Sequence, residues 1–134
     1  MRIDNDIAIA RSPEHVWAIL GDLAGVTRWV PGIASARMEG RRRICMLEDG
    51  GEIHEEIADF SDLERRYAYT QPVHPLGFER SEGTLAVHAN GGGTVVRWTA
   101  EVEPADAAQE EQLLPMLTEG YAAALARLKE VAES

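Results

Sequence analysis

The alternation of apolar and polar positions changes character along this chain. Residues 2–10 alternate, and Ile3, Ile7 and Ile9 would form the buried face of a first strand. Ser12-Pro13-Glu14 then predicts a helix start, because serine caps helix N-termini, proline fits the first helical position and glutamate favours the positive end of the dipole. A second short helical turn is predicted over residues 24–29.

From residue 33 onward, period-two alternation is broken at intervals by turn residues. Gly40-Arg41 and Asn90-Gly91-Gly92-Gly93 are examples of such breaks. The breaks are short, which predicts hairpins and therefore antiparallel neighbours, since parallel strands need long crossovers. The predicted strands cover residues 33–39, 42–47, 52–60, 65–73, 79–89 and 94–103.

The last part of the chain has helical periodicity. Asp106 is predicted to cap a helix that runs to about Ala132, on the order of 40 Å at about 1.5 Å per residue. Within it, Pro115 predicts a bend and Gly120 leaves unfilled space. A long helix with a small residue where it crosses a sheet leaves space at the crossing, which predicts an enclosed cavity. The predicted apolar stripe consists of Leu113, Leu114, Leu117, Tyr121, Leu125, Leu128 and Val131.

These elements predict an α+β domain over residues 1–134, with about seven strands in a curved antiparallel sheet wrapped around the long C-terminal helix and two short helices after the first strand. A length of 134 residues with 45% apolar and 27% charged residues is typical of one globular domain. No apolar run approaches the roughly 20 residues that a membrane helix needs, so membrane insertion is not expected. The polar N-terminus predicts a cytoplasmic location.

Charge and composition exclude several function classes. A net charge of −10 argues against binding to nucleic acids or anionic membranes. The one basic cluster, Arg41-Arg42-Arg43, is interpreted as a solvated hairpin turn, with an anion site as the less favoured alternative. The single cysteine, Cys45, excludes an internal disulfide and is interpreted as a small buried or edge residue.

No cofactor or metal is expected. The four histidines, at positions 15, 54, 74 and 88, lack metal-ligand spacing, and no glycine-rich phosphate loop opens a helix. His74, between Pro72 and Pro75, is interpreted as solvated, with a position at a cavity mouth as the alternative.

Strand alternation identifies Glu55 as an anomaly on the inward face of the sheet. It lies between Ile53 and Ile57, and Asp59 follows with the same parity. A buried carboxylate needs a partner. Three roles stay open for Glu55: catalytic acid or base, ligand contact, or structural hydrogen-bond acceptor. A one-residue bulge would instead turn a neighbouring residue inward.

The remaining inward positions suggest a ligand cavity. Trp98 and Tyr121 are predicted to face each other, and Glu55 and Tyr69 are the candidate catalytic residues. Arg80 and Arg97 have outward parity, which weakens a catalytic interpretation that would need a cavity arginine. The candidate ligand-binding residues are Trp29, Glu55, Tyr67, Tyr69, Ser81, Leu85, Trp98, Met116, Leu117, Gly120 and Tyr121.

Several stretches resemble one superfamily over essentially the whole chain. Among them are Trp29-Val30-Pro31-Gly32-Ile33 and Val95-Val96-Arg97-Trp98, together with Ser12-Pro13-Glu14-His15-Val16-Trp17, Ile53-His54-Glu55-Glu56-Ile57, Tyr67-Ala68-Tyr69 and Gly83-Thr84-Leu85-Ala86-Val87. With the element order, they resemble the helix-grip fold of the START and birch-pollen-allergen superfamily (SRPBCC), in particular its polyketide cyclase/dehydrase-type branch.

The resemblance implies a protein that binds a small hydrophobic molecule, such as a lipid, an aromatic polyketide or a quinone-like compound, in an internal cavity. One alternative is a polyketide cyclase or dehydratase that uses acid and base residues of the cavity. A second is a co-chaperone-like interaction module, which would need an exposed apolar patch. The expected partner is therefore a small ligand, and a homodimer is left open.

Overall fold

Seven strands and two α-helices form the computed structural model, which describes all of residues 1–134. In chain order the elements are β1 (Arg2–Ile9), α1 (Pro13–Leu20), a 3₁₀ segment (Leu23–Arg28), β2 (Ile33–Glu39), β3 (Arg42–Leu47), β4 (Glu52–Ser61), β5 (Arg66–Val73), β6 (Arg80–Asn90), β7 (Gly93–Glu103), a 3₁₀ turn (Ala107–Gln109) and α2 (Glu110–Glu133).

All seven strands belong to one curved sheet in the order β1-β7-β6-β5-β4-β3-β2. Every adjacent pair is antiparallel, and five of the six pairs are hairpins between consecutive strands. The sixth pair joins β1 to β7, so α1 and the 3₁₀ segment connect the two opposite edges of the sheet. The predicted α+β class and antiparallel topology are confirmed.

The first helix begins as the sequence predicts. Ser12 Oγ accepts a hydrogen bond from the backbone N–H of His15 at 3.2 Å, and Pro13 occupies the first helical turn. Trp17 Nε1 donates to Asp62 Oδ1 at 2.8 Å, which ties α1 to the turn after β4. The short helix is therefore fixed at its N-terminus and along one side.

The long helix differs from its prediction at the start and along its stripe. Asp106 caps the 3₁₀ turn by accepting from Ala108 N–H at 3.0 Å, and α2 begins only at Glu110. Leu114, predicted to be in the apolar stripe, is 39% exposed, because it is rotated about 100° from its buried neighbour Leu113. No helix combines the length and the apolar character needed to cross a membrane. The buried residues of α2 are Leu113, Ala124, Leu125, Leu128 and Ala132.

The strict alternation in β4 ends before the strand does. Asp59, expected on the inward face, is exposed and adopts a positive φ of 51°. The pairing with β5 shifts register between Ala58 and Ser61. An irregularity of this kind reverses the side-chain direction, so the inward prediction for Asp59 is wrong.

Burial on α2 makes a stability prediction. Leu128 is fully buried in the main core, so Leu128→Ala should lower the free energy of unfolding by about 2–5 kcal/mol. Leu114→Ala on the exposed side is the matched control and should change it by about 0.5 kcal/mol or less. Urea denaturation of both variants measures the difference. Equal losses of unfolding free energy in the two variants would contradict the orientation of α2, in which Leu128 faces the core and Leu114 faces solvent.

Candidate functional site

A cavity of about 210 Å³ lies between the inward face of the sheet and the middle of α2. The 3₁₀ segment and the loop after it close one side, and His74 contributes from the loop between β5 and β6. The lining residues are Val26, Trp29, Val30, Pro31, Ile33, Arg43, Cys45, Ile53, Glu55, Tyr67, Tyr69, Gln71, His74, Leu85, Trp98, Leu117, Gly120, Tyr121 and Ala124.

A larger hollow, of about 380 Å³, lies on the opposite, outward face of the sheet. Small side chains such as Thr84 and Thr99 surround it, together with the charged Glu82 and Glu101. It is a shallow trough open to solvent, and its charged groups are not buried. The inner cavity is the better candidate because the buried Arg43 and Glu55 and most of the buried aromatic side chains line it.

Trp98 organises the aromatic wall of the cavity. Its indole Nε1 donates a hydrogen bond to the Tyr69 hydroxyl at 2.9 Å. Its ring stacks on Tyr121 of α2, with centroids 4.1 Å apart and an interplanar angle of 12°. Trp29 meets it edge-on at 6.0 Å. The predicted contact between Trp98 and Tyr121 is present, and it joins the sheet to the helix across the cavity.

The position of Tyr69 depends on a glycine in the neighbouring strand. Tyr69 pairs with Gly83, and a Cβ at Gly83 would lie 2.5 Å from the tyrosine Cζ. The phenol ring can therefore lie across β6 only because residue 83 has no side chain. Burial raises the pKa of Tyr69 well above its usual range and that of Tyr121 to about 12, so both hydroxyls stay protonated near neutrality.

A buried ion pair forms the polar end of the cavity. Arg43 and Glu55 are directly opposite each other on β3 and β4 and are only 3% and 6% exposed. Arg43 Nε and Nη2 both lie 2.8 Å from Glu55 Oε1, and Arg43 Nη1 donates to the Leu23 carbonyl at 3.2 Å. The two charges thus neutralise each other inside the protein.

The second carboxylate oxygen of Glu55 is also satisfied. Gln71 Nε2 donates to Glu55 Oε2 at 3.0 Å, and Ser81 Oγ donates to Gln71 Oε1 at 2.6 Å. The β4–β5 pairing shifts by one residue between His54 and Glu56, which places a bulge opposite Glu55. The network therefore runs from β3 through β4 and β5 to β6.

Arg43 is the main residue that sequence reasoning misassigned. The turn contains only Gly40 and Arg41, and β3 begins at Arg42. Alternation then turns Arg42 outward, where it pairs with half-exposed Glu56, and turns Arg43 inward with the fully buried Cys45. The interpretation of the whole arginine cluster as a solvated turn is therefore wrong. Shared parity with Cys45 was the signal for the buried position.

Two of the eleven predicted ligand-binding residues do not line the cavity. Met116 is 49% exposed, because it is about 100° around the helix from cavity-lining Leu117. Ser81 is buried behind Gln71, to which it donates its hydrogen bond. The structure brings the other nine together at the cavity: Trp29, Glu55, Tyr67, Tyr69, Leu85, Trp98, Leu117, Gly120 and Tyr121.

Other lining residues had no strong signal in the sequence. Val26 and Ile33 resemble ordinary core residues, and only the tertiary fold shows that they face a cavity. Cys45 is buried as expected, and burial raises the pKa of its thiol to about 11. No group of three or more His, Cys, Asp or Glu side chains is arranged to hold a metal ion.

Two of the residues that line the cavity carry a polar atom without a hydrogen-bond partner. The atoms are the Tyr67 hydroxyl and the Trp29 indole Nε1, and both residues are almost completely buried. Burial raises the pKa of Tyr67, although the positive charge of Arg43, 5.6 Å from the ring centroid, opposes the rise. Tyr67 therefore remains a protonated hydroxyl that can donate a hydrogen bond.

His74 lies in the loop between β5 and β6 and lines the cavity, in agreement with the alternative that placed it there. Its ring packs on Phe78 with centroids 4.5 Å apart, and its Nδ1 accepts from Leu76 N–H at 3.1 Å. Burial lowers the pKa of His74 below 6.5, with the charge of Glu55 opposing the shift.

A curved antiparallel sheet that holds a long C-terminal helix over an internal cavity is the helix-grip fold. The family model described as polyketide cyclase / dehydrase and lipid transport matches residues 1–133, so the chain belongs to that family. The resemblance inferred from the sequence motifs is confirmed. Family and fold together are consistent with binding of a hydrophobic ligand or with polyketide cyclase activity.

Solved structures agree with this assignment. XoxI from Bacillus cereus is 25% identical with a TM-score of 0.89, and the match covers 97% of this chain and 94% of XoxI. A START superfamily protein from Mycobacterium smegmatis is 17% identical with a TM-score of 0.76, over 97% and 98% of the two chains.

A third structure is the di-domain ARO/CYC BexL from the BE-7585A biosynthetic pathway. It is 16% identical with a TM-score of 0.77, over 97% of this chain and 45% of BexL. At these identities, the START protein and BexL support the fold alone. No curated protein matches the chain by sequence.

The buried ion pair makes a prediction with an internal control. Glu55→Gln keeps the shape of the side chain but leaves Arg43 as an unpaired buried charge, which should lower the free energy of unfolding by about 3–5 kcal/mol. Glu56→Gln breaks the adjacent half-exposed pair with Arg42 and should cost about 1 kcal/mol or less. Chemical denaturation measures both values.

Removing both charges separates charge burial from packing. The double variant Arg43→Met/Glu55→Met should recover most of the stability lost in Glu55→Gln, since apolar replacements of a buried pair are often tolerated. A double variant less stable than Glu55→Gln would contradict the view that an unpaired charge is the main cost.

The lowered pKa of His74 predicts that the stability of the protein depends on pH. Because its folded pKa lies below 6.5, the unfolded chain binds the proton more readily, so the free energy of unfolding should fall as pH drops below about 6.5. His74→Gln should remove part of this dependence between pH 7.5 and 5.5, a window chosen above most carboxylate titration. Parallel stability curves for variant and parent across that window would refute the lowered pKa of partly buried His74.

Proposed function

We propose that this protein binds a small hydrophobic molecule in the cavity between the sheet and α2. The observation that carries the proposal is an aromatic-walled cavity of about 210 Å³ that ends at a buried Arg43–Glu55 pair, in which every nitrogen of the guanidinium and both carboxylate oxygens have a hydrogen-bond partner. Ligand sites are typically concave and mostly apolar, with a few fixed polar groups that set orientation. Membership of the polyketide cyclase / dehydrase and lipid transport family supports the same function.

The aromatic wall would supply most of the binding free energy. Transfer of an apolar ligand from water to this wall is favourable by roughly 25 cal/mol per Å² of buried apolar surface. Trp98 is held by the hydrogen bond to Tyr69 and by stacking on Tyr121, so little side-chain freedom would be lost on binding. In this proposal the ligand contacts the aromatic wall, which consists of Trp29, Tyr69, Trp98 and Tyr121. It also contacts Leu85 and Leu117, and Glu55 holds Arg43 in position.

Polyketide cyclase or dehydratase chemistry is the second candidate, because Arg43 supplies the cavity arginine that the sequence interpretation lacked. Aldol closure or dehydration would need a group that removes a proton from the substrate. Glu55 and His74 are such groups at the cavity, but N–H donors from Arg43 and Gln71 occupy both oxygens of Glu55, and the Leu76 N–H occupies Nδ1 of His74. We therefore favour binding over catalysis.

The first experiment is native mass spectrometry of the purified protein, followed by organic extraction of anything bound. A retained apolar molecule would identify the ligand class directly. Thermal unfolding with tetralin as a neutral bicyclic probe provides a second test, because a ligand at 100 times its dissociation constant adds about 2.7 kcal/mol of stability.

Gly120 offers a variant that narrows the cavity without weakening the fold. It lines the cavity at its exposed side, where a Cβ would meet no atom within 4 Å. Gly120→Leu should narrow the opening and weaken stabilisation by tetralin, while the free protein gains up to about 1 kcal/mol from the better helix former. Gly120→Ala is the control, with a similar gain and retained binding. Undiminished tetralin binding by Gly120→Leu would place the ligand elsewhere.

A further inference from the structure

Two residues that line the cavity carry hydrogen-bond donors that the protein itself leaves unused. The Trp29 indole Nε1 can only donate, and the buried, protonated Tyr67 hydroxyl donates readily. Buried polar groups without partners are rare in folded proteins because they lose their water without compensation. Two such groups at one cavity indicate a ligand that carries a hydrogen-bond acceptor.

The charged side chains at the cavity indicate which kind of hydrogen-bond acceptor a ligand would carry. Arg43 is the buried cation, and three of its N–H groups already bind Glu55 and the Leu23 carbonyl. Since Glu55 cancels its charge, a carboxylate ligand would bring an uncompensated negative charge close to another carboxylate. A neutral carbonyl oxygen satisfies the same donors without that cost.

The volume of the cavity limits the size of the ligand. An engineered cavity of about 150 Å³ holds a benzene molecule, and pockets for drug-sized ligands begin near about 300 Å³. A cavity of about 210 Å³ lies between these values. The stacked pair Trp98–Tyr121 and edge-on Trp29 provide faces and edges against which a flat ring packs.

We propose that the ligand is a neutral aromatic molecule of one or two rings with a carbonyl oxygen next to the ring, and that the Tyr67 hydroxyl and the Trp29 indole N–H supply the hydrogen bonds which that oxygen accepts. This inference rests on the binding function proposed above and narrows it. It selects against fatty acids and other anions, and against molecules with several fused rings.

Three probes of similar size test the proposal: 1-tetralone, which has the ring-linked carbonyl, tetralin, which lacks it, and 1-naphthoate, which is anionic. Calorimetric titration at pH 7 should show that the parent protein prefers 1-tetralone to tetralin by about tenfold or more and binds 1-naphthoate least. Tyr67→Phe/Trp29→Phe should lower the preference for 1-tetralone to about twofold or less.

Tyr67→Phe alone also has a readout in the ligand-free protein. The substitution removes an unsatisfied buried hydroxyl and keeps the ring, so it should raise the melting temperature while weakening 1-tetralone binding. Tetralin affinity reports any change in cavity shape in each variant, including the volume lost in Trp29→Phe.

The outcomes separate this inference from the binding function on which it rests. Equal affinities of the parent for 1-tetralone and tetralin, tight binding of 1-naphthoate, or a preference that survives in the double variant would each overturn the carbonyl assignment while leaving the binding function in place. If none of the probes binds and extraction yields no apolar molecule, the binding function fails as well.

Discussion

The buried pair of Arg43 and Glu55 constrains more of this structure than any other contact. Two charges withdrawn from water lose several kcal/mol of hydration each, and the loss is offset only where geometry is good and the remaining hydrogen-bonding groups are satisfied. Here both guanidinium edges and both carboxylate oxygens have partners, supplied by the 3₁₀ segment, β3, β4 and β5. The pair can exist only when all of those elements are in place.

This requirement also specifies how the strands pair. Arg42 and Glu56 flank the buried pair and form their own ion pair on the outward face. A slip of one residue would exchange inward and outward side chains along a strand and leave one charge of each pair without its partner. The bulge opposite Glu55 then allows Gln71 to complete the network, which continues to Ser81 on β6. Register and site geometry thus depend on the same residues.

The sequence predicts most of the fold because its turn residues mark where the strands end. The bounds of β2 and β3 coincide with the predicted residues 33–39 and 42–47, since Gly40-Arg41 leaves no other place for the hairpin. The inward position of Glu55 follows from alternation alone. Alternation also indicates Arg43 as the partner of Glu55, but only when the arginine cluster is treated one residue at a time and not as a block of like charge.

Other errors have a similar origin in local irregularity. The positive φ at Asp59 comes from a bulge that depends on pairing with β5, a long-range feature with no sequence signature. On α2, Leu114 and Met116 are apolar but lie on the flank of the buried stripe, and periodicity alone does not fix where such a stripe ends. Met116 therefore lies outside the candidate site, although its neighbour Leu117 lines the cavity.

The cavity groups that could remove a proton from a substrate already accept hydrogen bonds from the protein. Two groups that could donate a hydrogen bond to a ligand have no partner. Glu55 accepts hydrogen bonds at both oxygens, and the Tyr69 hydroxyl accepts one from Trp98 while burial keeps it protonated. Neither group is poised to remove a proton from a substrate. Tyr67 and Trp29 carry the unpartnered polar atoms, and both present donors. Satisfied bases and unsatisfied donors around one cavity favour the proposed binding of a ligand oxygen over removal of a proton from a substrate.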